Sequence, residues 1–331
     1  MIQPSTLKKL SETLGLSIST VSRALKDHPD IADKTKERVR ELAAAMEYEP
    51  NSLAVQLRTR HNNVLGILVP TINNFFYDSF IAAVEEDARA HDYSVLIMQS
   101  RDDLTLEKNN LNLFRKNRVA GLFASISIAT EDITPFQKFN ELQIPLVFFD
   151  RVPVNDVCNK VCFEDAATAR IAAETIIGKK KKNVLALFGH PHLSITRKRL
   201  DAFRETFSSQ APDTRITYAF PEQSAPAREV TLSFLDKADR PDAIFCMGDL
   251  ILIGVMSAIH ASRLRVPEDI AVISISNGLL PTVYDPKITH VETSGYKLGK
   301  KAFEQMLNRL QGTETVEEVF VTSALVMGGS I

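Results

Sequence analysis

The sequence predicts an all-α head followed by a two-lobed, doubly wound α/β body. Three observations carry this. Near the amino terminus, apolar positions recur at helical spacing, with Leu7, Leu10 and Leu14 on one face. Beyond His61 the pattern changes to short continuous apolar runs, such as "VLGILVP" and "IPLVFFD", separated by helical stretches. Runs of that kind suit parallel strands covered on both faces. The alternation begins a second round near Phe163, so the body should hold two similar sheets, each with helices on both faces.

A chain of 331 residues suits two or three domains. The head is assigned to residues 1–60 and the body to residues 61–331. In the head, Gly15 supplies a tight turn after the first helix, and Ser17 can cap the second by accepting an early backbone N–H. Val21, Ala24 and Leu25 form the buried side of that second helix. Its other side carries Ser17, Ile18, Ser19, Ser22, Arg23 and Lys26. Short hydroxyls let a helix approach base edges, and an arginine can bond a guanine through two parallel hydrogen bonds. Two short helices joined by a glycine turn, the second with such a face, make the helix-turn-helix pattern. The competing reading is a helical pair from an ordinary bundle. A third helix should run from Asp33 to about Tyr48, with Val39, Leu42, Ala43 and Met46 on one face. Pro50 stops it, and Asn51 can cap a short hinge helix over Ser52–Leu57.

In the body, the first round predicts helices near Tyr77–His91, Leu104–Asn117 and Pro135–Leu142, between the strands "YSVLIMQ", "VAGLFAS" and "IPLVFFD". The second round predicts helices near Ala166–Ile177, Thr196–Ser208, Pro226–Lys237 and Leu250–Ser262, around the strands "VLALFG", "RITYAF", "DAIFCMGD" and "IAVISIS". The tail predicts a strand and a long helix, with Leu298, Ala302, Met306 and Leu310 at helical spacing. If that helix crosses back, the lobes are discontinuous: about 61–161 with 293–322, and about 162–292 with 323–331. Ligands of open α/β sheets bind beyond the carboxyl ends of the strands, which makes the cleft between the lobes the natural pocket.

Composition narrows the function. The net charge is −2, and residues 1–60 hold ten Lys and Arg against eight Asp and Glu, so bulk charge alone does not mark a polyanion binder. Cys158, Cys162 and Cys246 show no metal-type pairing and read as buried free thiols. No apolar run approaches the roughly 18 residues of a membrane span. The opening "MIQPSTLKKLSETL" lacks the apolar segment of a signal sequence, so a cytoplasmic protein with no membrane partner is expected. No strand is followed by a dinucleotide-binding or phosphate-binding glycine loop, and there is no nucleophile elbow. The "GHPH" loop brings two histidines without a third ligand, and Lys179–Lys182 reads as a solvated loop. No catalytic residues, metal or cofactor are expected.

The segments "STVSRAL", "YEPNSLA", "GILVPTINNFF", "FFDRV", "SITRKRLDAF", "GDLILIGVMSAI", "RVPEDIAVISI" and "GYKLGKKAFEQML" occur in that order. Together they resemble the LacI/GalR (lactose and galactose repressor) family over nearly the whole chain. The resemblance implies a sequence-specific DNA-binding transcriptional regulator, usually a repressor. It implies a homodimer on a palindromic operator, and a periplasmic-binding-protein-like body whose cleft takes a small effector, a sugar or sugar derivative. It assigns base contacts to Ile18, Ser19 and Arg23, phosphate contacts to Ser17, Ser22, Thr6 and Asn51, and a minor-groove wedge to Leu57. In the cleft it assigns Asn74, Phe76, Arg199 and Asp249, with Glu164, Ser276 and Asn277 at further effector-site positions, and Asp150, at the strand terminus that ends "LVFFD", is another candidate.

Departures from the family's pattern bear on the effector. Ser274, Ile275 and Ser276, then Asn277, stand where the family has Gly-aromatic-Asp. Glu164 replaces an aspartate, Gly248 an asparagine and Phe75 a proline. A common hexose held in the standard way is therefore not expected. The tail "SALVMGGSI" carries no leucine heptads, so a dimer is expected rather than a tetramer. A sugar-binding receptor on the same two lobes would have a secretory signal and no head. A sugar-modifying enzyme would need a catalytic pair that the sequence does not supply.

Overall fold

Thr6 opens the first helix of the head by accepting the Lys9 N–H at 3.2 Å. This computed structural model describes residues 6–48, 62–154 and 157–331. The chain divides into two compact units at Asn62/Asn63.

In the first unit α1 spans Leu7–Leu14, α2 Ile18–Leu25 and α3 Asp33–Ala45. Gly15 ends α1 at φ 65°, a left-handed conformation that side chains resist and glycine accepts. Ser11 Oγ donates to Leu16 O at 2.7 Å and fastens the turn, and Ser17 then caps α2 by accepting the Thr20 N–H. Leu10, Val21, Ala24, Val39 and Ala43 form the small core, flanked by Leu14, Leu25, Leu42 and Met46. The turn before α3 is pinned by Asp27, which meets Lys36 Nζ at 3.2 Å and Arg40 Nη2 at 2.8 Å.

The second unit contains two six-stranded sheets. In chain order the strands are β1 Val64–Val69, β2 Ser94–Gln99, β3 Gly121–Ala124, β4 Leu146–Phe149, β5 Lys160–Phe163, β6 Asn183–Leu187, β7 Arg215–Ala219, β8 Ala243–Cys246, β9 Ala271–Ser276, β10 Thr289–Glu292, β11 Glu318–Val321 and β12 Ala324–Val326. The first sheet has the order β11-β5-β4-β3-β1-β2 and the second β12-β10-β9-β8-β6-β7. Every pairing is parallel except β10 with β12. The helices between them are α4 Phe75–Ala90, α5 Leu104–Lys116, α6 Thr134–Glu141, α7 Asp165–Gly178, α8 Ser194–Gln210, α9 Ser224–Leu235, α10 Asp249–Ala261 and α11 Gly295–Leu310.

The chain passes between the lobes after β5, after β10 and after β11. The first passage follows the end of β5, close to the boundary at about residue 161 expected from the sequence. Strand β5 runs on to Phe163, because Val161 and Phe163 are buried in the first lobe's core. Helix α11 packs on α4 in that same core through Leu298, Ala302 and Met306. Two glycines set its distance. A Cβ on Gly295 would lie 2.2 Å from Phe76 O, and one on Gly299 would lie 2.7 Å from Phe80 O. The tetralysine stretch is the exposed turn between α7 and β6. Among the described residues no helix is long and apolar enough to cross a membrane.

Candidate functional sites

In the head, α2 presents Ser17, Ile18, Ser19 and Arg23 to solvent, with Ile18 47% exposed. An aliphatic side chain left open at the start of a short helix costs hydration without any gain inside the fold. Placed beside Ser19 and Arg23, it is available to an apolar group on a partner surface. Ser17 Oγ is occupied with Ser19 and Thr20 hydroxyls at 2.7 and 2.8 Å, and Ser22 is half-buried beside them. Asn51 and Leu57 lie outside the described residues.

In the body, the carboxyl ends of strands from both sheets face a cleft with a cavity of about 210 Å³. A single water needs only about 10–15 Å³ of such space, so the cleft has room for a small molecule. Seven of the eight residues expected there line it: Asn74, Phe76, Asp150, Arg199, Asp249, Ser276 and Asn277. Asn74 caps α4 by accepting the Phe76 N–H at 2.9 Å, and this fixes the first turn from which Phe76 enters the cleft. The Phe76 ring packs edge-on against Tyr77 and Phe163.

Glu164 is the exception. It is exposed at the residue before α7 and does not line the cleft. The next residue, Asp165, turns inward in the first turn of α7 and takes Arg199 Nε at 2.8 Å. Both side chains are at most 6% exposed. Burial raises the Asp165 carboxyl above the usual range, while the Arg199 guanidinium opposes that shift. Arg199 also donates to Met247 O at 3.4 Å.

Asp150 follows β4 at φ 58° and accepts the Tyr77 hydroxyl at 2.7 Å. Burial raises its carboxyl, against the pull of Arg151 and the Tyr77 hydrogen bond. Asp249 opens α10 and accepts from Ser276 Oγ and from the Asn277 N–H, the latter at 3.2 Å. Its carboxyl is likewise raised by burial, with Ser276, Asn277 and His290 opposing. Among the described residues, neither Asp150 nor Asp249 has a cation within ion-pair distance.

Among the lining groups that the sequence reading missed are Arg151, Asp102, Tyr77 and Thr196. Arg151 donates to Asp102 Oδ1 at 2.7 Å, and Asp102 also accepts the Ile128 N–H at 3.0 Å. Tyr77 reaches both Asp150 and Ser125. Thr196 lines the cleft, and its buried Oγ1 has no hydrogen-bond partner. Arg151 was visible in "FFDRV" beside Asp150, but Asp102 and Thr196 had no local signal. His190 Nε2 lies 3.6 Å from Glu222 at the cleft wall, and no metal-holding cluster occurs among the described residues.

Comparisons with known proteins bear on the family and the fold. Residues 6–51 match the family described as bacterial regulatory proteins, lacI family, and residues 173–331 match the periplasmic binding protein-like domain. The ribose operon repressor of Halalkalibacterium halodurans is 25% identical over 307 residues, covering 93% of this chain and 91% of the relative. The HTH-type transcriptional repressor PurR of Vibrio vulnificus is 24% identical over 320 residues, covering 96% and 95%. Among solved structures, the lac repressor dimer bound to operator and the anti-inducer ONPF superposes with a TM-score of 0.89 at 22% identity, covering 99% of each chain. The regulator CelR in complex with cellobiose superposes at 0.71 and 20% identity, covering 98% of this chain and 99% of that one.

Proposed function

The chain belongs to the lacI family of bacterial regulatory proteins, and from that premise we propose that it is a transcriptional repressor whose operator affinity is set by a small neutral molecule in the cleft. The observation that carries the first half is the exposed face of α2, where Ile18, Ser19 and Arg23 stand together on a head that has its own core. An aliphatic group suits a thymine methyl and an arginine suits guanine O6 and N7. Two such heads in a homodimer read a two-fold symmetric site. A repressor of this kind works in the cytoplasm, where its DNA is, and performs no catalysis.

The charge arrangement supports a neutral polyhydroxylated effector, a sugar or sugar derivative, over an anionic one. Each cleft arginine already has its own carboxylate, Arg199 with Asp165 and Arg151 with Asp102. Asp150 and Asp249 keep acceptor capacity toward the cavity, and hydroxyl donors fill it, while Phe76 offers an apolar face to ring C–H groups. The test is selection of bound duplexes from a random oligonucleotide pool with the full-length protein. A palindromic consensus is expected, and its half-sites should be contacted by Arg23. Recovery of no symmetric site would overturn the reading.

A further inference from the structure

Asn277 belongs to the second lobe, yet its side chain is spent on the first. It follows Ser276 at the end of β9, just before Gly278 turns the chain at φ 103°. Its Oδ1 accepts from Ser79 Oγ at 2.9 Å and from the Gly295 N–H at 2.8 Å. Its Nδ2 donates to Phe75 O at 3.2 Å. Both lone pairs of the carboxamide oxygen and one of its two N–H groups are thus committed across the cleft. The neighbours also fix the orientation of the amide. A flipped group would set its NH2 against the Gly295 N–H and its oxygen against Phe75 O, placing donor on donor and acceptor on acceptor.

The same residue touches the pocket from its other end. Its backbone N–H donates to Asp249 Oδ2 at 3.2 Å, and Ser276 Oγ next door donates to Asp249 Oδ1. The groups it reaches in the first lobe are the first turns of α4 and α11, which the close approach at Gly295 makes into one body. Phe76, which lines the cleft, sits on that same first turn of α4. A hydroxyl arriving at the spare acceptor sites of Asp249 shares the carboxylate with the Asn277 N–H and draws on the same charge, so occupancy of the pocket is felt by the residue that joins the lobes.

The geometry points to Asn277 as a positioning residue rather than an effector contact: a latch between the lobes that passes the state of Asp249 to the α4–α11 pair. This rests on the effector reading of the cleft, but it is tested without effector or DNA, so the two can fail separately. Hydrogen exchange of the full-length protein reads the Gly295 amide and the first-turn amides of α4. Asn277→Ala should speed exchange at Gly295 about tenfold, the size expected from losing one net hydrogen bond. Peptides from β6 and β7 should be unchanged. Ser79→Ala cuts the same contact from the opposite lobe and should give a smaller acceleration at the same amides, which keeps the test open if the Asn277 variant folds poorly. The decisive variant is Asp249→Asn, which alters the pocket carboxyl and does not touch Gly295. Faster exchange at Gly295 in that variant establishes transmission. Acceleration confined to the Asn277 and Ser79 variants would reduce the residue to a passive brace and overturn the proposal. No change in any variant would overturn it too.

Discussion

Arg23 stands exposed on the same α2 face as Ile18 and Ser19, free to meet a base edge without rebuilding the head core. Arg23→Ala should weaken operator binding by about 1–3 kcal/mol and relax preference at one base position, measured by fluorescence anisotropy on operator and on scrambled DNA. An equal loss on both duplexes would mean that the side chain meets only phosphate. Asp249 yields a second prediction at this scale. Its folded carboxyl is raised by burial, so the folded state holds the proton more tightly than the unfolded chain does. Its contribution to stability is therefore fully present below the unfolded value near 3.8 and is lost as pH rises through the higher folded value. Asp249→Asn removes that titration. In urea unfolding the variant should gain on the native protein as pH rises from 4 toward neutrality, and identical pH profiles would contradict the assignment. Residue-level chemistry was only partly legible in the sequence. Asp249 and Arg199 end or begin recognisable motifs, but nothing local distinguishes Glu164 from Asp165. Which acid turns inward is decided by the first turn of α7 meeting α8.

Whole elements were far more legible, because period and length are local properties. Most strands are short apolar runs and most helices carry an apolar stripe, so the βα alternation could be read directly, whereas β5, β11 and β12, which are short and carry Lys160 and Glu318 or lie at the sheet edge, were not. What could not be read is how closely the elements approach one another. Gly295 and Gly299 look like ordinary helix-weakening residues within "SGYKLGKK". Their role depends on α4, some 200 positions earlier in the chain, whose backbone carbonyls occupy the space of their missing side chains. Alanine normally stabilises a helix interior relative to glycine by about 1 kcal/mol. Here the contact with Phe80 O and Ala83 Cβ should outweigh that gain, making Gly299→Ala net destabilising by about 1–3 kcal/mol. Gly295→Ala meets the Phe76 carbonyl even more closely and should cost more. Thermal denaturation of both variants checks the sign and the order, and a rise in Tm for either would show that α11 can shift away without penalty.

At the scale of the molecule, an effector can move the repressor between states only by the difference in its affinity for them. That difference must arise where the two lobes present groups to one ligand, and the cleft offers Phe76 and Asp150 from one lobe with Arg199 and Asp249 from the other. The head folds around its own small core in a separate unit, so a change at the cleft is not expected to alter the head's stability. Asp249→Ala should therefore leave ligand-free operator affinity within about tenfold, roughly 1.4 kcal/mol, of the native protein. The same change should abolish the response to whichever sugar or polyol shifts the native protein's operator affinity. Because hydroxyl donors stabilise ionised carboxylates, binding of that ligand should also tighten as pH rises through the raised values of Asp150 and Asp249, with protons released from them on binding. Calorimetry in buffers of different ionisation enthalpy counts those protons. Uptake instead of release would mean that the ligand is held by the protonated carboxyls, and the cleft would then be reading a ligand acceptor rather than a hydroxyl.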